Sequence, residues 1–224
     1  MSSNSYPGRG IIVGKSEDEL CSVVAYFIMG RSENSRNRIF IVAEDGIKTK
    51  AFDEAKLCDP SLIIYSPVRI LGENIIVTNG DQTDTIYNFI KEGKSFEDAL
   101  RTRCFEPDAP NFTPRISALL KNDCAKMSIL KSAEGDSNST HRYFYEYTPL
   151  KNGEGRIIHT YKTDGNPLPS YEGEPALVPL KGDINVLSDT IWNSLNNDNK
   201  VSLYVRFTNL KTGEAITKII NKHN

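Results

Sequence analysis

Long apolar runs, paired cysteines and a surplus of charge of either sign are all missing from this chain. The longest apolar stretch, Val23 to Met29, is strand-sized and far short of the ~20 residues a membrane helix needs. The polar start, Met1 to Arg9, has no apolar stretch of the kind a secretory signal carries, so the expectation is a cytosolic protein with no membrane partner. Without secretion, the sequons at Asn111 and Asn138 carry no meaning. Cys21, Cys58, Cys104 and Cys124 stand far apart with no CxxC pair, and His141, His159 and His223 show no ligand spacing against them. Disulfide and zinc frameworks are therefore excluded, no metal is expected, and the thiols read as buried and reduced. Lys and Arg total 27 against 29 Asp and Glu, a net charge of −2, whereas a phosphate-backbone binder is usually basic, so no nucleic-acid partner is expected. Standard chemical motifs are absent too: no dinucleotide-binding GxGxxG, no P-loop, no GxSxG and no HExxH.

What is present is an ordinary globular composition. With 224 residues, 38% hydrophobic and 25% charged, the chain has enough apolar material for one core without staples. A single domain over 1–224 is expected, with 1–5 as a flexible lead. Short β-branched and aromatic segments bounded by Gly, Pro, Asn and Asp predict strands at 10–14, 22–30, 38–43, 62–71, 74–78, 115–120, 125–131, 142–147, 156–161, 201–208 and 215–220. In 201–208, Val201, Leu203, Val205 and Phe207 are expected on one face and Ser202, Tyr204, Arg206 and Thr208 on the other. Helices are expected after Asp81, with Ile86, Phe89 and Ile90 on one stripe, after Ser95, and over 183–195. Ser132–Thr140 reads as a mobile hairpin tip, and Thr163–Pro179, with its four prolines, as an extended loop. The pattern predicts an α+β fold of two largely antiparallel sheets covered by helices, with no internal repeat.

Four polar clusters stand where strands end. Arg31, Arg36 and Arg38 with Asn34 and Asn37 fit bidentate binding of a phosphate or carboxylate; a solvated basic turn is the plainer account. Asn79, Asp81 and Asp84 lie at a strand-to-helix junction suited to a sugar hydroxyl or base edge, unless Asp81 is only a cap. Glu106 and Asp108 are stiffened by three prolines beside Asn111 and Arg115, as acid/base or orienting groups, or as a connector with a surface ion pair. His159, Tyr161, Lys162 and Asp164 open an unusually long polar connector, although a lone histidine is more often structural.

Taken in order, Tyr6-Pro-Gly-Arg-Gly-Ile-Ile-Val-Gly14, Ala25-Tyr26, Gly30-Arg31-Ser32 and Asn37-Arg38 resemble the archaeal-type inosine monophosphate cyclohydrolase family. Tyr65 with Val68-Arg69, Thr78-Asn79-Gly80-Asp81 with Thr83-Asp84, and Asn111 with Thr113-Pro114-Arg115-Ile116 continue the likeness over Tyr6 to Leu120, and the Gly155–Pro175 run is similar to bacterial members. The resemblance implies a four-layer αββα sandwich of N-terminal-nucleophile-hydrolase type. It also implies closure of 5-formamidoimidazole-4-carboxamide ribonucleotide to IMP with loss of water, the last step of purine synthesis. No terminal nucleophile, metal or cofactor is needed for that ring closure, because the nucleophile lies in the substrate. On this reading Arg31 and Arg38 take the phosphate, and Asn79, Asp81, Asp84 and Asn111 contact ribose or base. Tyr65 and Arg115 face the developing oxygen. Glu106 transfers protons, with His159 or Tyr161 in reserve, and Tyr161 is also counted among the substrate contacts. Two other readings stay open from residues alone: a catalytically inactive purine-nucleotide-binding protein, and an amide hydrolase with a processed N-terminal residue such as Ser2. Association between copies is left open, since sheet-rich scaffolds often associate.

Overall fold

A computed structural model describes residues 4–57 and 60–223, so Ser2 and Cys58 lie outside the described residues. Six strands form one antiparallel sheet: β1 (Arg9–Lys15), β2 (Cys21–Met29), β10 (Glu154–His159), β11 (Ala176–Pro179), β12 (Lys200–Asn209) and β13 (Ala215–Asn221), in the order β11-β10-β1-β2-β12-β13. The second sheet runs in sequence order through β3 (Ile39–Ala43), β4 (Gly46–Lys50), β5 (Val68–Leu71), β6 (Asn74–Thr78), β7 (Arg115–Lys121), β8 (Cys124–Ala133) and β9 (Asp136–Tyr147). Among the described residues, four α-helices complete it: α1 (Glu33–Arg36), α2 (Gln82–Lys91), α3 (Phe96–Arg101) and α4 (Ile184–Ser194).

The burial pattern explains the layering. Alternate residues of β2 point opposite ways, and both faces are apolar: Val24, Tyr26 and Ile28 join the cluster between the sheets, while Val23, Ala25, Phe27 and Met29 join the cluster beneath α4. The inter-sheet cluster takes Ile116, Ala118 and Leu120 from β7, and α2 and α3 cover the other face of that sheet through Ile86, Phe96 and Leu100. Each fully buried apolar side chain of this kind contributes ~1.5–3 kcal/mol. Among the described residues, no helix is long and apolar enough to cross a membrane.

Several expectations need correction. The expected strand over 62–71 survives only as β5, because 61–65 turns back and is held by Thr49, whose hydroxyl donates to the Ile63 and Tyr65 carbonyls at 2.8 and 3.0 Å. Gly46–Lys50, not expected, is a strand whose Ile47 and Thr49 are buried and whose Lys48 and Lys50 are exposed. The polar stretch 132–140 belongs mostly to β8 and β9, with the chain reversing at Glu134 and Gly135, both at positive φ. The proline-rich connector ends in edge strand β11, where proline is tolerated. A register shift between Lys200 and Ser202 turns Val201 onto the inter-sheet face beside Tyr204, away from Leu203, Val205 and Phe207. The cysteines were expected to be buried, yet Cys104 is exposed and Cys21 and Cys124, each opening a strand, are half-buried.

Candidate active site

Antiparallel pairing brings the start of β1 and the ends of β2 and β10 to one edge of the first sheet. It brings the starts of β3, β5 and β7 and the ends of β4 and β6 to one edge of the second. The connections leaving both edges meet around a cleft of about 390 Å³. Its walls include Arg9, Arg31, Arg38, Glu106, Asn111 and Tyr161.

Arg38 has 0% exposure, although it lies in a segment of the kind that is usually a solvated turn. Ser32 starts α1 with a capping box: its hydroxyl accepts from Ser35 N, and the Ser35 hydroxyl accepts from Ser32 N. This single turn presents the Ser35 carbonyl to Arg38 Nε at 3.0 Å and carries the guanidinium inward. Nη1 and Nη2 of Arg38, and Nε of Arg9, have no hydrogen-bond partner among the described residues. An unpaired buried charge costs several kcal/mol, so these donors are set for an anion. Burial and the Arg9 charge push the Arg38 pKa down. Burial also opposes the Arg9 charge, but Tyr6, Tyr161, Glu106 and Tyr65 outweigh it and hold the Arg9 pKa above its ordinary value.

Glu106 supplies the opposite charge. Its backbone N–H donates to the Thr113 carbonyl at 2.9 Å, closing a loop that Phe105 and Phe112 brace edge to face. Only 4% of the residue is exposed, and burial raises its pKa to about 7 against the pull of Arg9, Arg115 and Arg38. Asn79 sits behind it: its Nδ2 lies 3.5 Å from Glu106 Oε1 and donates to the Pro114 carbonyl at 2.9 Å. Arg115 does not line the cleft; its Nη1 donates to Gln82 Oε1 at 2.6 Å and pairs with Asp81 at 2.7 Å. Gly80 makes room for this, since a Cβ there would stand 2.6 Å from Arg115 Nη1 and 2.7 Å from Gln82 Oε1. Gly80→Ala is therefore expected to cost ~1–3 kcal/mol in chemical denaturation and to lower turnover by displacing Arg115. An unchanged denaturation midpoint with unchanged turnover refutes that packing argument.

The remaining predicted residues divide. Tyr161 OH lies 2.6 Å from Thr113 Oγ1, which donates to Asp108 Oδ2, so the phenol donates to the threonine in a short chain facing the cleft. Burial raises the Tyr161 pKa to about 12. Asn111 Oδ1 accepts from Leu168 N at 3.0 Å and fastens the long connector to the cleft wall. Arg31 is occupied: it donates to Asp164 and to the Gly165 carbonyl and lies over the Tyr6 ring. Tyr65 is buried behind the cleft with its hydroxyl 2.9 Å from that of Tyr26. His159 points elsewhere, its Nδ1 2.8 Å from the Tyr161 carbonyl and its ring against Tyr171, and burial lowers its pKa to about 4. Burial would raise Asp81, but Arg103 and Arg115 outweigh it and hold its pKa low; its side chain makes no capping bond. Asp84 pairs with Arg69 at 2.9 Å.

Sequence reasoning missed Tyr6, Arg9 and Thr113 as cleft residues and named Asn34 only as a member of the basic cluster, with no role of its own. Arg9 and Tyr6 lay in the first motif of the family likeness, and Thr113 in its last. Asn34 had no signal beyond its basic neighbours. Among the described residues, no group of three or more His, Cys, Asp or Glu is placed to hold a metal.

A family model described as IMP cyclohydrolase-like protein matches residues 6–213. The IMP cyclohydrolase of Methanococcus aeolicus is 29% identical over 161 residues, covering 70% of this chain and 74% of that protein. The IMP cyclohydrolase of Methanopyrus kandleri is 29% identical over 180 residues, 79% of each chain. That of Methanosphaera stadtmanae is 31% identical over 161 residues, 70% of this chain and 74% of its own length.

Proposed function

This chain belongs to the IMP cyclohydrolase-like family, and on that premise we propose that its cleft closes 5-formamidoimidazole-4-carboxamide ribonucleotide to IMP. The observation that carries this is the pairing, in one cavity, of buried unsatisfied guanidinium donors with a buried carboxyl that titrates near neutrality. The donors on Arg38 and Arg9 suit a nucleotide phosphate. Held by that end, the base reaches toward Glu106.

The carboxamide nitrogen attacks the formyl carbon, forming the ring C–N bond and turning the formyl oxygen into a carbinolamine hydroxyl. The C–O bond then breaks, the hydroxyl leaves as water with a proton from an acid, and the ring nitrogen gives up its proton to restore the balance. Both groups already sit on one imidazole ring, so the protein's part is to hold the rotamer in which the formyl carbon faces the amide nitrogen and to move the protons. A carboxyl with a pKa of about 7 is suited to both proton transfers at neutral pH. The two antiparallel sheets with helices outside support a fold of N-terminal-nucleophile-hydrolase type, and the family's reaction supports a cytosolic setting.

The test is an absorbance assay with the formamido nucleotide. Conversion to IMP, verified by mass, is expected. Binding without conversion favours a catalytically inactive nucleotide binder and overturns the proposal, as does failure to bind.

A further inference from the structure

We propose that Asn34 is a specificity-determining residue whose side-chain carbonyl accepts a hydrogen bond from a ribose hydroxyl of the bound nucleotide. The proposal rests on the phosphate-first binding argued above. Asn34 lies in α1 and lines the same cleft as Arg38. Its Oδ1 is buried and has no hydrogen-bond partner among the described residues. The other side chains of this turn are engaged. Ser32 and Ser35 bond each other, and Arg36 turns away to the Gly30 carbonyl and Asn199 Oδ1 at 2.9 and 3.0 Å.

The chemistry of the missing partner follows from the atom. A carbonyl oxygen only accepts, and a phosphate dianion has no proton to offer, so the phosphate held by Arg38 cannot satisfy Asn34. A donor O–H or N–H is required, close to the phosphate, since Asn34 in α1 and Arg38, two residues beyond the end of that turn, line the same cleft. On a 5′-nucleotide the donors nearest the phosphate are the ribose hydroxyls; the formamide and carboxamide N–H groups lie at the far end, where the reacting atoms must meet Glu106. A buried acceptor left unpaired costs ~1–3 kcal/mol, which is what makes such an atom a reader of the ligand rather than a passive wall.

The experiment compares the ribonucleotide with its 2′-deoxy and 3′-deoxy analogues on the wild-type protein and on Asn34→Ala and Asn34→Leu. For wild type, kcat/KM is expected to be ~10–100-fold lower for one of the two deoxy analogues, because that analogue leaves Asn34 unpaired. In both variants the preference should shrink to within about threefold, with the loss on the ribonucleotide appearing in KM rather than kcat. Thermal unfolding of each variant separates misfolding from lost recognition, and the ratio of substrates on one protein is unaffected by its active fraction. A preference that persists unchanged in both variants overturns the assignment. So does a wild type that accepts both deoxy analogues as readily as the ribonucleotide, which points to an amide donor instead. Failure of wild type to convert the ribonucleotide at all counts against the proposed reaction itself, and is read separately from the ratios.

Discussion

Arg38→Met is expected to lower kcat/KM for the formamido nucleotide by ~10²–10⁴-fold while leaving the free protein as stable as before or more so. The loss follows from two guanidinium N–H groups without partners, each worth ~1.5–3 kcal/mol against a charged acceptor, at ~1.4 kcal/mol per factor of ten. The stability follows from the same observation read in the ligand-free protein. There the guanidinium is fully buried, its two Nη groups have no hydrogen-bond partner among the described residues, and the nearby Arg9 charge repels it, so a methionine of comparable length removes a cost. Replacing buried charges with apolar side chains is often neutral or stabilising by ~1–4 kcal/mol. Steady-state kinetics and a denaturant titration measure the two halves. A variant that binds normally removes Arg38 from the phosphate site; one that unfolds easily shows Arg38 to be a structural ion with a partner in the fold.

Glu106→Gln should reduce kcat by ~10²–10⁴-fold, the usual contribution of a positioned acid or base. Its wild-type pH dependence has a definite sign. With a folded pKa near 7 against an ordinary 4.5, the folded protein holds this proton more tightly than the unfolded chain. Below pH 4.5 both states are protonated and nothing is lost. As pH climbs from 4.5 to 7, the unfolded chain releases its proton first and folding is progressively penalised. At ~1.4 kcal/mol per pKa unit the penalty approaches ~3 kcal/mol above pH 7. Glutamine, always neutral, escapes it. The variant should match wild type in stability near pH 4 and exceed it at pH 8, while wild-type activity falls as pH rises through about 7. Equal stability of the two proteins at pH 8 contradicts the raised pKa of the buried Glu106, and near-normal turnover removes it from the chemistry.

The resemblance pointed to Arg38 through a short motif, the proline-stiffened loop pointed to Glu106, and the structure gives both a physical reason to matter. Arg31 looked equivalent to Arg38 from its neighbours, yet it is tied to Asp164 and Gly165 at the cleft wall. Asp81 and Asp84 stood three positions apart in the sequence as candidate ligand contacts. They turn to different arginines, Asp81 to Arg103 and Arg115 and Asp84 to Arg69. His159 had the right chemistry and the wrong direction, because it ends a strand with its ring against Tyr171.

Local sequence determined the elements whose residues meet their partners nearby. Two-sided apolar strands such as β2, the caps at Ser95 and Asp183, and the ends set by glycine and proline are decided by side-chain size and backbone reach within a few residues. Only the tertiary structure decided which polar side chains share water-excluded space. Arg9, Arg38, Glu106 and Tyr161 are up to 152 positions apart, counting from 9 to 161, and meet because two sheets end at one edge. The raised pKa of Glu106 and the unpaired donors of Arg38 follow from desolvation. Desolvation depends on every neighbour at once, and that information is spread over the whole chain rather than held in any motif.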